Sequence, residues 1–472
     1  MKKIFFFYFL LFFVCLPNIY AQKSAVLSGK IANSQGKAVG MNLTPSFLKG
    51  QQPDYVVELG GGGEFNINLN PMDAPRVITL YHGKRSLEVY LEPGDSVFVD
   101  TDMNSFNKKT SFAGGDINNF FFSEFSKSIP TKRKSLLDKK GEPKEYREFM
   151  DSLLEVQHQL LTNYAKKHKI SEGGMNFGKL QIDYKYANNL LGYVFGLNRR
   201  RGKKPTVSKE YYSFLDKIVI ENPALANSST YSTFLHNYMT YNLLLKMKRT
   251  PRYDNARYYP DLCEIDRTQI KDEFLLSMML TQHLVEGLQR SRVEELKEHY
   301  LFGMEQTKTE KYTIAMKYVY DQVKHLEAGA VAPDFKVLNI DGEEVALSDF
   351  VGKVVYMDFW ASWCGPCKAQ IPHAKKLKQK FEGEDVVFLY LSIDKNEQKW
   401  RTLVETKGLT GVQLIAGKEK NNISKAYRVS GVPKYILVDK EGKIADSMAK
   451  RPSQQGIADD IQKLLKLNSG SK

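Results

Sequence analysis

The spacing of hydrophobic residues changes twice along this chain, which predicts three regions of different structure. Between residues 22 and 115, short runs such as Tyr55–Leu59 and Phe65–Leu69 alternate hydrophobic and polar positions and are separated by turn residues. Such alternation is typical of strands with one buried face. For this part of the chain we predict a small antiparallel β-sandwich.

From residue 116 to residue 327, hydrophobic residues recur every three or four positions, as on one face of a helix. The clearest stretch, Tyr146–Lys169, contains no Gly or Pro, and similar stretches follow at Asp272–Leu288 and Lys311–Leu326. No sequence unit repeats along the region, so we predict a helical domain and not a repeat array.

After residue 327, short hydrophobic runs alternate with helical stretches. Strands are predicted at Val354–Phe359, Val386–Ile393 and Tyr435–Val438, and a long helix at Cys364–Phe381. This rhythm is typical of a central sheet with helices on both faces. The predicted fold class is therefore multidomain, with an α/β domain over residues 328–472 after the β-sandwich and the helical domain.

The first 21 residues have the pattern of a secretory signal peptide. Two lysines precede an apolar run from Ile4 to Leu16, and Ala21 is a small residue at the expected cleavage position. The run is shorter than the about 20 residues that span a bilayer. We therefore expect an exported protein, with a retained membrane anchor as the alternative to cleavage.

The charge of the chain is basic but widely spread. The formal net charge is +14, and loss of residues 1–21, which hold two lysines and no acidic residue, leaves +12. The densest cluster lies at Arg199–Lys204. In an exported protein we interpret this cluster as a solvated loop and not as a nucleic-acid site.

Cysteine is scarce, which excludes a disulfide-stapled scaffold. Beyond the signal peptide the chain has Cys263, Cys364 and Cys367. We interpret Cys263 as a buried, inert thiol. The other two lie three residues apart where a predicted strand turns into a helix, so their sulfurs can bridge. Cys364 would stand at the helix N-terminus, where free N–H groups and the helix dipole favour a thiolate.

Three other uses of such a cysteine pair have less support. A zinc site needs two further ligands, and the sequence has neither a second pair nor closely spaced histidines. A c-type haem site needs histidine directly after the second cysteine, where Lys368 stands. A structural disulfide that closes so short a loop adds little stability. We therefore interpret the pair as a redox-active disulfide that works without a metal or other cofactor.

The segment from Trp363 to Cys367, Trp-Cys-Gly-Pro-Cys, resembles the active site of thioredoxins. With Ala332–Phe335 and Gly431-Val432-Pro433, it makes residues 328–472 similar to the exported TlpA/ResA-type thiol-disulfide oxidoreductases. The resemblance implies a thioredoxin-like fold for the α/β domain and a cis peptide bond before Pro433. Beside that proline it implies a main-chain edge on which a substrate pairs. The substrate-contacting residues would be Trp363, Gly365, Pro366 and Val432.

The same resemblance implies a role for Asp358, six residues before Cys364. As a buried carboxyl group it would take the proton from Cys367 when that sulfur attacks. The sequence departs from the family at Tyr390, where a lysine usually partners the acid, and at Lys434, where Thr or Glu is common. Peroxiredoxins share the Pro-Asp-Phe motif of Ala332–Phe335, but Ala361 stands where their peroxide site requires threonine.

Together these patterns predict a periplasmic protein-disulfide reductase that acts on exported, disulfide-bearing proteins. Its Cys-Gly-Pro-Cys loop implies a potential of about −270 mV. The resemblance also implies a transmembrane thiol reductase of the DsbD or CcdA type as electron donor, with peripheral membrane association and without nucleic acid. The alternative is an exported binding or scaffold protein whose front domains hold a partner while the redox domain is tethered.

Overall fold

The computed structural model describes residues 23–34, 36, 38–47, 53–105, 109–126, 142–201, 207–246, 255–416 and 423–467. The expected signal peptide lies outside these residues, and so do residues 202–204 of the Arg199–Lys204 cluster. Within the described ranges, no helix is both long enough and apolar enough to cross a bilayer.

The chain forms two compact units. The first holds the described residues up to Thr44 and within Gln52–Leu190, together with Ala224–Ser232. The second holds the described residues within Pro45–Gln51, Leu191–Pro223 and Thr233–Lys472. These boundaries differ from those expected after residues 115 and 327, and the division into three domains stays a prediction.

Two four-stranded sheets dominate the first unit. One has the order β4-β1-β7-β8 and the other the order β3-β2-β5-β6. The strands are β1 Ala25–Ala32, β2 Ala38–Asn42, β3 Tyr55–Glu58, β4 Glu64–Leu69, β5 Arg76–His82, β6 Arg85–Leu91, β7 Ser96–Asp102 and β8 Ser111–Ala113. Buried residues from both sheets share one hydrophobic core, because alternate residues of strands such as β4 and β7 point inward.

One pair of strands differs from the predicted antiparallel pairing. Strands β1 and β7 run parallel, with Leu27 opposite Val97. Five strands separate them along the chain, so no tight turn forces them to be antiparallel, and the intervening chain supplies the long crossover that a parallel pair needs. The other strand pairs of both sheets are antiparallel.

The predicted helical region contains the expected helices. They are α1 Asp116–Asn119, α2 Pro143–Ala165, α3 Glu172–Arg201, α4 Ser229–Lys246, α5 Asn255–Gln269, α6 Glu273–Gly287, α7 Val293–Gln306 and α8 Glu310–Val323. Helix α6 begins after Asp272, whose side chain accepts a hydrogen bond from the N–H of Leu275 and so caps the helix. Cys263 lies on α5 and is fully buried, and burial raises the pKa of its thiol well above the usual value. Its environment is that of an unreactive structural cysteine.

The C-terminal part of the second unit is built on a seven-stranded sheet of order β10-β9-β13-β12-β11-β14-β15. Its strands are β9 Lys336–Asn339, β10 Glu344–Ala346, β11 Val354–Trp360, β12 Val386–Ser392, β13 Val412–Ile415, β14 Lys434–Val438 and β15 Ile444–Asp446. Its helices are α9 Gly365–Lys380, α10 Glu397–Lys407, α11 Ile423–Ala426 and α12 Ile457–Leu467. The predicted strands and helices agree with these within about two residues.

Strand β11 is the strand that leads into the cysteine pair. It pairs in parallel with β12 and antiparallel with β14, and all of its residues are buried. Burial on both faces explains why almost all residues of this strand are hydrophobic. Asp358 is the one acidic residue in it, and its position is therefore unusual.

The core on one face of this sheet includes a residue from before the expected domain boundary. Leu326 is 3% exposed and packs in the cluster that contains Phe335, Met357 and Ile436. We expect Leu326→Ala to lower the free energy of unfolding by about 2–4 kcal/mol, because it leaves a cavity in that core. Denaturant unfolding measures the loss. The control Val351→Ala, at a residue that is 65% exposed, should change stability by less than about 0.5 kcal/mol. Equal effects of the two variants would contradict the placement.

Candidate active site

Cys364 and Cys367 form a disulfide at the N-terminus of α9, with Cα atoms 5.3 Å apart. Cys364 is the N-cap residue, and its Sγ accepts a hydrogen bond from the N–H of Cys367 at 3.1 Å. That N–H is one of the donors that a helix leaves free at its N-terminus. When the disulfide is reduced, the same donor and the helix dipole stabilise negative charge on Cys364.

The two cysteines are almost equally buried, at 4% and 5% exposure, but they face different surroundings. The Sγ atom of Cys364 lies 3.7 Å from the carbonyl oxygen of Val432. The peptide bond between Val432 and Pro433 is cis, as the sequence comparison with thioredoxins implied. Cys364 therefore meets main chain at the start of β14, whereas Cys367 faces the interior beside Asp358.

Asp358 lies at the centre of the sheet with a tyrosine on each side. It is opposite Tyr390 of β12 and Tyr435 of β14. The side chain is 7% exposed, and its Oδ1 has no hydrogen-bond partner among the described residues. Burial raises the pKa of Asp358 to about 8, so the carboxyl group is mostly protonated at neutral pH.

A small cavity of about 30 Å³ borders this carboxyl group and Cys367 and opens to the surface. Its wall is formed by Asp358, Trp360, Cys367, Ile371, Ala374, Lys375, Lys378, Tyr390, Leu409 and Thr410. Lys375 is exposed at the outer side, so the cavity reaches solvent there. An ionisable group that borders both a thiol and such a cavity can exchange protons with each of them.

The residues expected to contact substrate surround the disulfide. Trp363 is 66% exposed, which is unusual for so large an apolar side chain. Gly365 and Pro366 are exposed at the first turn of α9, and Val432 is half-buried opposite Cys364. The structure thus brings all four close to the cysteine pair in the chain or in space. Ala361 is fully buried and offers no hydroxyl group.

The sequence did not single out Asp394, which follows β12 and is 2% exposed. Its carboxylate accepts hydrogen bonds from the N–H and the hydroxyl of Ser362 at 2.7 and 2.8 Å. It also accepts one from the hydroxyl of Ser392 at 2.8 Å. Because Ser362 lies two residues before Cys364, this carboxylate fixes the loop that carries Trp363 and Cys364. A Ser-x-Asp sequence at the end of β12 is the only signal that could have indicated it.

We expect Asp394→Ala to lower the free energy of unfolding by about 2–4 kcal/mol, because it leaves the half-buried donors of Ser362 and the buried hydroxyl of Ser392 unpaired. Denaturant unfolding of the oxidised protein measures the change. Asp459→Ala, at an exposed position on α12, is the control and should cost less than about 1 kcal/mol. A loss at Asp394 as small as that of the control would contradict this role.

Lys434 braces the loop before Pro433. Its Nζ donates hydrogen bonds to the carbonyl oxygens of Tyr427 at 2.8 Å and Arg428 at 3.3 Å. Burial, with the nearby charge of Arg428, lowers the pKa of Lys434 to about 8. The side chain thus points to its own main chain and is occupied there, at the position where the related enzymes have Thr or Glu.

No cluster of three or more metal-ligating side chains occurs in the ranges that the structure describes. The site contains a disulfide, one buried carboxyl group, a cavity and a main-chain carbonyl group. Such a site can exchange disulfides: one sulfur attacks, the second resolves, and the carboxyl group moves the proton.

Comparisons with known proteins cover this part of the chain. The model of the AhpC/TSA family matches residues 328–447. The thiol-disulfide oxidoreductase ResA of Bacillus cereus is 28% identical over 154 residues, which are 32% of this chain and 87% of ResA. The thioredoxin-like protein YneN of Bacillus subtilis is 32% identical over 138 residues, which are 28% of this chain and 79% of YneN.

Among solved structures, the thioredoxin domain of a thiol-disulfide oxidoreductase from Bacteroides vulgatus is 28% identical, with a TM-score of 0.28. The match covers 29% of this chain and 98% of that domain. The relatives are thus covered nearly in full, while this chain has about two thirds of its length outside the matched part. Through its C-terminal part, the chain belongs to the thioredoxin-like proteins, and it is an enzyme of the thiol-disulfide oxidoreductase class.

Proposed function

We propose that this protein is an exported reductase of protein disulfides that acts in the periplasm. The observation that supports it most is the different environment of its two cysteines. Cys364 faces the main chain at Val432, where a substrate would lie, and Cys367 faces the cavity that holds Asp358. A disulfide exchange enzyme needs this division between an attacking and a resolving sulfur.

In the first step, the thiolate of Cys364 attacks one sulfur of a substrate disulfide. The substrate S–S bond breaks, a mixed disulfide forms, and the other substrate sulfur leaves as a thiolate that takes up a proton. The substrate main chain rests beside Pro433 in an extended form, and the exposed Trp363, with Gly365 and Pro366, lies against it.

In the second step, Cys367 attacks Cys364 and releases the second substrate thiol. The proton of Cys367 passes to the carboxylate of Asp358, which borders the same cavity and returns the proton to solvent. Two electrons have then moved from the enzyme to the substrate, and the disulfide between Cys364 and Cys367 is restored. No metal or organic cofactor takes part.

The oxidised enzyme must be reduced again for another cycle. In an oxidising compartment the electrons would come across the membrane, from a thiol reductase of the DsbD or CcdA type, with the enzyme held at the membrane surface. The two sheets of the first unit would form a β-sandwich. Together with the helical region, this sandwich would bring the redox domain to its partners. The scaffold alternative is not favoured, because relatives such as ResA are thiol-disulfide oxidoreductases.

Thiol counting tests this proposal. The reduced protein is mixed with a cystine peptide, quenched by alkylation and analysed by mass. We expect one peptide disulfide to be reduced for each disulfide formed between Cys364 and Cys367, with Cys263 unchanged. Oxidation of Cys263, or no transfer of electrons to the peptide, would contradict the proposal.

A further inference from the structure

Positive charge is concentrated in the two segments that surround the disulfide. Residues 328–472 hold 23 Lys or Arg and 18 Asp or Glu, a net charge of +5. Helix α9 holds five of these cations and no acidic residue, and the segment from Ile423 to Val438, which includes Pro433, holds three and none. The remaining residues have 15 basic and 18 acidic side chains, so they are net acidic.

The cations of α9 are not used within the fold as ion-pair partners. Lys368, Lys375, Lys376 and Lys380 are exposed, and in the described part of the chain no acidic group pairs with any lysine of α9. Some cations of other helices are paired: Lys317 of α8 lies 2.7 Å from Asp321, and Arg401 of α10 lies 2.7 Å from Glu397. Lys375 donates a hydrogen bond to the carbonyl oxygen of Lys407 at 2.7 Å, but that contact does not neutralise its charge. The positive charge of α9 is therefore not neutralised by ion pairs.

Only part of this distribution favours the helix: Lys378 and Lys380 stand in its last turn, where the dipole stabilises cations. Lys368 stands close to the N-terminus of α9, where the helix dipole repels a cation. Lys376 and Lys380 are four residues apart, a spacing at which like charges repel by about 0.2–0.5 kcal/mol. An arrangement that is unfavourable for folding is typical of a functional surface.

Acidic groups do not neutralise the charge at the disulfide. Asp358 and Asp394, which contact the interior side of the disulfide and its loop, are both buried. Glu382 and Glu384 follow the C-terminal end of α9. No acidic residue therefore lies on α9 between the cysteines and the end of the helix, and Lys368 directly follows Cys367.

We propose that the cationic rim, defined as Lys368, Lys375, Lys376, Lys425 and Arg428, binds an acidic segment next to the disulfide of a protein partner. The inference rests on the proposed function, since a partner that brings its sulfur to Cys364 must cover the adjoining surface. Three of these residues lie on α9 and two lie in the segment before Pro433. The two segments meet at the disulfide, where the Sγ of Cys364 lies 3.7 Å from the carbonyl oxygen of Val432. A membrane also attracts cations but carries no disulfide, so a protein partner fits this position better.

Charge of this kind acts mainly on the rate of encounter, by about 10- to 1000-fold at low salt. We therefore propose stopped-flow reduction of three cystine peptides whose flanking residues are acidic, neutral or basic. At about 0.01 M salt, the reduced protein should react with the acidic peptide at least about tenfold faster than with the basic one. At about 0.5 M salt the ratio should fall below about two, because the Debye length is then only a few ångströms.

A double substitution tests the residues. Lys368→Glu with Lys376→Glu should lower the ratio of the acidic to the neutral peptide rate about tenfold or more, and favour the basic peptide. Dividing by the rate with the neutral peptide removes any effect of Lys368 on the reactivity of Cys364, because that effect is the same for every peptide. The control, Lys463→Glu with Lys466→Glu, makes the same charge change at exposed positions of α12 and should keep the wild-type ratio.

The outcomes separate this inference from the proposed function. Equal rates for the three peptides would overturn the acidic-partner inference and leave the reductase intact, whereas reduction of none would overturn the reductase itself. Vesicles of phosphatidylglycerol and phosphatidylcholine give the remaining control. Vesicle binding that is lost in the Lys368→Glu, Lys376→Glu protein, without any change in peptide preference, would assign the rim to a membrane and overturn the inference.

Discussion

Replacing Cys364 by serine lowers disulfide reductase turnover by about 1000-fold or more, because a serine hydroxyl at this position is neither ionised nor able to form a disulfide. Replacing Cys367 by serine has a different effect. The first attack proceeds at a rate within about threefold of wild type, but the mixed disulfide between Cys364 and the substrate then accumulates because nothing resolves it. Turnover with a cystine peptide measures the first variant, and mass analysis of the alkylated product measures the second.

The control for both is Cys263→Ala. This thiol is buried on α5, away from the disulfide in sequence and without a role in the exchange, so turnover should stay within about twofold of wild type. A trapped substrate on Cys367 in the Cys364→Ser protein, and none on Cys364 in the Cys367→Ser protein, would reverse the assigned roles of the two sulfurs.

Asp358→Asn has the second largest effect. It slows resolution of the mixed disulfide by about 100-fold near pH 8, because asparagine cannot take the proton of Cys367. In the wild type this step should accelerate as the pH rises through about 8, where Asp358 loses its proton. The variant should lack that rise and follow only the ionisation of Cys367. Rapid mixing of the trapped complex over a range of pH measures both profiles, and identical profiles would contradict the role of Asp358.

The raised pKa of Asp358 also predicts how Asp358→Asn changes the pH dependence of stability. Burial raises the pKa of Asp358 to about 8, so between pH 4 and pH 8 the folded protein keeps a proton that the unfolded chain has lost. The stability of the wild type must therefore fall as the pH rises through this window, in total by on the order of 5 kcal/mol. Asp358→Asn removes this dependence, so its advantage over the wild type should grow from pH 4 to pH 8 in denaturant unfolding of the oxidised form. An advantage that shrinks over this range would contradict the buried, protonated state.

The sequence predicted the parts of the structure that depend on local patterns. Strand β11 is a continuous hydrophobic run and α9 begins at a cysteine pair, so their positions and the thiols of the site could be read from neighbouring residues. The role of Asp358 was implied by the family resemblance, from its position six residues before Cys364. The cis peptide before Pro433 followed from the family resemblance and not from the residues themselves.

Features that depend on contacts between distant segments could not be predicted. Asp394 acts on Ser362 only because the ends of β11 and β12 are neighbours, and the two tyrosines beside Asp358 depend on strand register. The parallel pairing of β1 with β7 joins strands about 70 residues apart, and alternation of hydrophobic residues indicates strands but not their partners. The sequence pattern places Leu326 at the end of a helix, and only the structure shows that it packs in the core of the seven-stranded sheet.

The reducing role proposed for the disulfide between Cys364 and Cys367 is tested most directly by its reduction potential. The protein is equilibrated with glutathione or dithiothreitol buffers of known potential, and the thiols are alkylated and counted by mass. We predict one reversible two-electron transition near −270 mV, the value of thioredoxin. A transition near −120 mV, the value of a strong oxidant, would contradict it, as would a pair that does not cycle at all.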